Sequence, residues 1–283
     1  MTELEVVVDG RALLAEGPIW NARDGSLLWV DILRHEIHRL DGGDRVVARL
    51  SDPVGAVAVR AAGGLVAATG MGVALLDGDT TEWIATADRG DRMNEAKCDP
   101  AGRLWAGTLT NDHRPGASGL YRLDADRRLA PVLQDVTLSN GIGWSPGGET
   151  MYYVDTPTEA VDAFDFDPAT GAVSGRRRLV DLRDVPGRPD GLTVDAEGAI
   201  WVALARGWTV RRFLPDGTPD AVVEVPAYKV TSCTFGGPAL DELYVTTACF
   251  GLDERELAAQ PHAGAVFRCR PGVTGLPAAE YAG

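Results

Sequence analysis

The chain has 283 residues, 45% hydrophobic and 24% charged, with a formal net charge of −14. That acidity excludes a nucleic-acid binder, whose partner's phosphates require a basic footprint, and no apolar run approaches the ~20 residues a spanning helix needs, so no membrane partner is expected. The opening MTELEVVVDG lacks the basic and apolar stretches of a secretory signal, and Cys98, Cys233, Cys249 and Cys269 lie scattered without a CxxC pair, which reads as reduced, buried thiols in a cytoplasmic protein.

In chain order, six segments share one shape: an apolar strand, a short turn rich in Gly, Asp or Pro, then a β-branched or aromatic strand. They are GPIWNARDGSLLWVDI from Gly17, GAVAVRAAGGLVAAT from Gly55, EAKCDPAGRLWAGTL from Glu95, GIGWSPGGETMYYVD from Gly141, GLTVDAEGAIWVAL from Gly191 and SCTFGGPALDELYVTT from Ser232. Their starts lie about 38 to 50 residues apart, the period of four-stranded propeller blades. Third strands follow as HEIHRLD, GVALLD, GLYRLD, DAFDFD, TVRRFLPDG and GAVFRC. The runs RVVARL, TEWIAT, LAPVLQD, RRRLVDL and AVVEVP have the length and pattern of a fourth, outer strand. No linker divides the chain. The reading is an all-β, six-bladed β-propeller with four antiparallel strands per blade and almost no helix, one domain over residues 1–283. A pair of β-sandwiches is the structural alternative, but it does not demand six matched units.

In a propeller the first strand of each blade lines the central channel, so equivalent positions converge on the axis. Overlaying the units puts Glu16, Val54, Asn94, Asn140, Asp190 and Thr231 just before the inner strands. Four of these carry a carboxylate or amide oxygen and Thr231 adds a hydroxyl. Asn-Gly and Asp-Gly pairs are ordinary turn formers, but Glu16-Gly17 and Asn94-Glu95 are not, and the recurrence at one offset points elsewhere. Two carboxylates brought together without a cation repel, and one is forced to hold its proton. Glu16, Asn140 and Asp190 form an all-oxygen set suited to Ca²⁺, Mg²⁺ or Mn²⁺, with Zn²⁺ also compatible. Arg92 and Asn94, two residues apart, point the same way on an extended segment and suit the hydroxyls or ring oxygen of a sugar-like ligand. Thr231 and Ser232 either line the same mouth or cap a strand. His113 is a loop residue with no evident partner, and Trp29, Trp105 and Trp201 read as packing between blades.

The stretches EGPIW, LLWVDI, RMNEAKCDPAGRLWAGTL, SNGIGWSPGGETMYYVD, AVDAFDFD, PDGLTVDAEGAIWVAL, TSCTFGGPALDELYVTTA and EYAG resemble, in order and over nearly the whole chain, the senescence marker protein/regucalcin–gluconolactonase family. The resemblance implies a six-bladed propeller with one catalytic divalent metal that hydrolyses sugar lactones to aldonic acids. It implies metal ligation by Glu16, Asn140 and Asp190 and substrate contact by Arg92 and Asn94. A water beside the metal is expected to attack the lactone, deprotonated either by the metal's pull or by Asp190 as the catalytic base. Some relatives use a Glu in the loop after AGT; the loop here is the shorter LTNDHRPGASG without one, leaving Asp112 or His113 as stand-ins. The chain also has RMNEAKC where RFND is commoner. The expected partner is a small sugar lactone and the expected state a monomer or small homo-oligomer. Three other functions share this framework: a non-enzymatic Ca²⁺-binding regulatory propeller, a hydrolase of other lactones or esters, and an interaction scaffold.

Overall fold

The computed structural model describes residues 3–283. Strand β1 (Glu5–Val8) comes first, and the rest follow blade by blade. Blade 1 holds β2 to β5 (Ala15–Asn21, Ser26–Asp31, Glu36–Leu40, Asp44–Arg49) and blade 2 holds β6 to β9 (Val54–Val59, Leu65–Thr69, Gly72–Asp77, Thr80–Thr86). Blade 3 holds β10 to β13 (Arg92–Cys98, Leu104–Leu109, Ser118–Leu123, Leu129–Val136). Blade 4 holds β14 to β17 (Ser139–Trp144, Thr150–Asp155, Ala160–Asp167, Ala172–Asp181) and blade 5 β18 to β21 (Arg188–Val194, Ile200–Ala205, Thr209–Phe213, Pro219–Glu224). Blade 6 holds β22 to β24 (Val230–Gly236, Glu242–Thr247, Val266–Cys269). The six sheets are antiparallel and four-stranded, and their inner strands pack on one another in a closed circle: a six-bladed β-propeller.

Burial grades from axis to rim. The inner strand β6, VGAVAV, is buried at every position, because sheets cover both of its faces and alternation is not required. The outer strands β5 and β9 are mostly exposed.

The sixth outer strand comes from the other end of the chain. Five outer runs are evident in the sequence; in blade 6 the place is taken by β1, with Glu5 opposite Arg268 and Val6 opposite Phe267, and the Arg268 guanidinium 2.7 Å from Glu5. Without β1, β24 would present a row of unpaired backbone groups. The one α-helix among the described residues, α1 (Glu254–Ala259), lies between β23 and β24 and is capped by Asp253 and Glu256 in a reciprocal box.

The recurring tryptophans are buried, as expected, and the hairpin turns explain how their polar ends are accommodated. Asp99, wholly buried, accepts from the backbone N–H of Ala101 (2.9 Å) and Arg103 (3.1 Å) and from the Trp105 indole (3.0 Å). Asp195 does the same for Glu197 (3.0 Å), Ala199 (2.9 Å) and Trp201 (2.9 Å). One carboxylate thus closes the turn and satisfies the indole N–H that a buried Trp requires. The terminal EYAG is also structural: Tyr281 is fully buried, its backbone exchanges hydrogen bonds with Val59 and Ala61 of blade 2 (both 2.8 Å), and its hydroxyl donates to the Asp124 carbonyl of blade 3 (2.9 Å).

Of the cysteines, all reduced, three are buried as expected, but Cys249, in the loop after β23, is only half-buried.

Candidate metal and substrate site

Every inner strand breaks register with its neighbour at the same height: between Glu16 and Ile19, Val54 and Ala56, Met93 and Ala96, Ser139 and Ile142, Pro189 and Leu192, and Val230 and Ser232. The converging positions therefore lie inside the inner strands rather than before them. They sit at a bulge, the device that re-aims a side chain out of the alternating pattern.

The register divides the axis into three tiers. The upper tier is Glu16, Val54, Asn94, Asn140, Asp190 and Thr231. The next is Gly17, Gly55, Glu95, Gly141, Gly191 and Ser232, and below it come Ile19, Val57, Lys97, Gly143, Thr193 and Thr234. Small residues fill the middle tier because the strands approach closely there: a Cβ on Gly55 would lie 2.5 Å from the Asn94 carbonyl oxygen, and one on Gly141 2.6 Å from the Leu192 nitrogen. Glu95 is the exception. Its signal in the sequence is a long acidic residue where other blades carry Gly or Ser.

In the upper tier a hydrogen-bonded chain crosses three blades. Arg92 Nη1 donates to Asn94 Oδ1 (2.8 Å) and to the Met93 carbonyl (2.9 Å). Asn94 Nδ2 donates to Asn140 Oδ1 (3.0 Å) and to the Ser139 carbonyl (2.8 Å). Asn140 Nδ2 donates to Thr156 Oγ1 (2.8 Å), whose hydroxyl donates to the Pro189 carbonyl (2.9 Å), next to Asp190. This chain fixes which way each carboxamide faces.

The carboxylates are poorly supplied. Glu16 accepts only from the Gly17 N–H (3.1 Å), and no protein donor reaches the Asp190 carboxylate among the described residues. Asp190 is ringed by protein yet keeps some solvent contact. Desolvation above all, then the charges of Asp190 and Glu95, pushes the Glu16 carboxyl well above the usual range. Desolvation and then Glu95 do the same to Asp190. Arg92 is the one cation opposing both, and burial pulls it down to about 10, which leaves it charged at neutral pH.

Two carboxylates in each other's field, Glu16 buried and Asp190 half-buried without a donor, together with an Asn140 carboxamide oxygen that retains a second lone pair, fit a hard divalent cation. Among the described residues no three His, Cys, Asp or Glu side chains gather as a cage. Such a set, two carboxylates plus one amide oxygen, would leave coordination positions for water or substrate.

Other candidates fall elsewhere. Thr231 is buried with its hydroxyl donating to the Ala15 carbonyl (2.6 Å), which ties blade 6 to blade 1; Ser232 is buried in the middle tier. Asp112 is exposed and paired with Arg114 at 3.1 Å, and His113 lies in an exposed turn at φ 51°.

Residues 14–249 match the model of the SMP-30/Gluconolactonase/LRE-like region. The chain belongs to the SMP-30/gluconolactonase family. It is 37% identical to a regucalcin of Xenopus laevis over 99% of both chains. It is also 37% identical, over 97% of both, to a Bacillus subtilis (strain 168) protein provisionally named sugar lactone lactonase YvrE. Among solved structures, a calcium-binding regucalcin from Agrobacterium tumefaciens superposes with a TM-score of 0.91 at 29% identity, covering 99% of this chain and 97% of that one.

Proposed function

We propose that the protein hydrolyses sugar lactones to aldonic acids, using one divalent cation held by Glu16, Asn140 and Asp190. The observation that carries this reading is the pair of donor-poor carboxylates, Glu16 and Asp190, in each other's field at the same inner-strand height as Asn140, with Arg92 and Asn94 alongside. Membership in a family with lactonase-named relatives supports it. The oxygen-only donors suit Ca²⁺, Mg²⁺ or Mn²⁺, and carboxylates serve Zn²⁺ as well.

When bound, such a cation supplies Lewis acidity that polarises the lactone carbonyl. The side chains do the rest. Arg92 and Asn94 hold the substrate hydroxyls, so the carbonyl carbon arrives in one orientation. Asp190, whose surroundings strengthen its hold on a proton, accepts one from the attacking water. The acyl C–O bond of the ring then breaks, and the departing ring oxygen takes up a proton to leave a hydroxy acid. Tying one Asp190 oxygen to a cation weakens its basicity, and the field of Glu95 opposes that weakening.

A pH-stat assay of the full chain on a panel of aldonolactones, with each metal in turn, tests the proposal. Turnover that requires metal and is lost in Asp190→Ala is expected. Unchanged turnover in metal-stripped protein would end it. Tight Ca²⁺ binding with no turnover on any lactone would favour a binding role instead, in keeping with the calcium-binding relative.

A further inference from the structure

The lower end of the axial channel is built differently from the upper. Below Glu95, a cavity of about 380 Å³ opens on the opposite face, lined by Ile19, Lys97, Gly143, Thr193 and Thr234 of the lower tier together with Trp144. That volume is within the range of small-molecule sites. The tail of the chain crosses its mouth. Gly275 bridges Asp195 of blade 5, Tyr281 bridges Arg60 of blade 2, and Leu276 to Ala279, between them, line the cavity.

The polar groups here are donors. Lys97 has three N–H groups, and among the described residues its only hydrogen-bond acceptor is the Leu192 carbonyl at 2.9 Å. Trp144 contributes apolar ring surface to the wall, its own indole N–H being closed off from it. Thr193 and Thr234 add hydroxyls, while Pro146 and the tail make the outer wall apolar. Glu95 lies one tier nearer the catalytic mouth than Lys97, and the two groups lie in each other's electrostatic field.

We propose that this cavity is a second binding site, for a small organic monocarboxylate, with the carboxylate on Lys97 at the axis and the apolar body against Pro146 and the tail. A neutral polyol would leave the apolar wall unused, and a cation would meet the Lys97 charge. Reaching the site does not require passage through the catalytic mouth.

The test is calorimetric titration of the full chain with hexanoate, using hexanol as the neutral counterpart. Hexanoate is expected to bind one to one, at least tenfold tighter than hexanol, and to bind Asp190→Asn with unchanged affinity. Lys97→Met is expected to weaken it at least tenfold. Ala278→Trp, on an exposed part of the tail that lines the cavity, is expected to weaken it similarly by filling the mouth, which keeps the test decisive should Lys97→Met fold poorly. Absence of saturable hexanoate binding overturns the proposal, as does equal binding in Ala278→Trp. Loss of binding in Asp190→Asn overturns it too, because that result assigns hexanoate to the catalytic mouth.

Discussion

The inner strands carry buried carboxylates near both ends, and the two sets are furnished in opposite ways. At the lower end Asp195 receives two backbone N–H groups, the Trp201 indole and the Arg212 guanidinium at 2.8 Å. Asp99 receives the matching set, with Arg103 Nε at 2.6 Å. At the upper end Glu16 has one backbone donor and Asp190 no protein donor among the described residues. A buried charge is tolerated when hydrogen bonds replace its water. Asp99 and Asp195 meet that condition within the protein and serve the fold. Glu16 and Asp190 do not, and the proposed cation would supply the missing partner. What separates the two sets is the number of donors around each carboxylate rather than burial.

The strongest way to break this contrast is to delete one member of each set. Asp190→Ala is expected to lower lactone turnover on the order of 10³-fold, as loss of an acid–base group and ligand together would, while its melting temperature without metal holds or rises. Initial rates and calorimetric melting read both; retained turnover would place Asp190 outside the chemistry. Asp195→Ala is expected to do the reverse. It leaves the Trp201 indole and the turn N–H groups without their acceptor, while Arg212 keeps Glu197 and Asp220, and should cost about 1–3 kcal/mol of stability, with turnover per folded molecule preserved. Denaturant titration beside an active-site count decides it, and a change below about 1 kcal/mol would show those donors to be dispensable.

A pH series sharpens the contrast. Glu16 and Asp190 bind their protons more tightly in the metal-free fold than in the unfolded chain. Their contribution to stability is therefore full below the unfolded carboxylate range and is lost as pH rises through their raised folded values. Melting temperature in chelator should fall over that window, and saturating metal should flatten the fall. A flat profile in chelator would mean the two carboxylates are already neutralised by the protein. The smallest expected effect is Arg92→Lys, which keeps the charge but loses the fork; KM for a polyhydroxy lactone should rise roughly tenfold, or about 1.4 kcal/mol, with the melting temperature unchanged. An unaltered KM would remove Arg92 from substrate contact.

Much of this was legible in the chain because it repeats. Six copies of strand–turn–strand define the blades, and an oxygen-bearing side chain at one offset draws attention to Glu16, Asn94, Asn140, Asp190 and Thr231 without reference to distance. The bulge was not legible: it depends on neighbouring inner strands approaching closely enough that Gly55 and Gly141 admit no side chain. Glu95 was visible as a residue but not as a group at the axis, since a single unit does not reveal that the other five carry only Gly or Ser at that height. The missing sixth outer strand was hidden by order, because β1 and β24 stand at opposite ends of the chain and no local pattern links them.

What the sequence by itself determined is the repeat, the burial pattern that follows from it, and the residue types offered to the axis, all of which arise from local spacing. Only the tertiary structure decided which carboxylates are saturated with donors and which are starved, and where the ends of the chain meet. Those outcomes depend on closing six blades into a ring, which brings together groups that no local stretch of chain holds in contact.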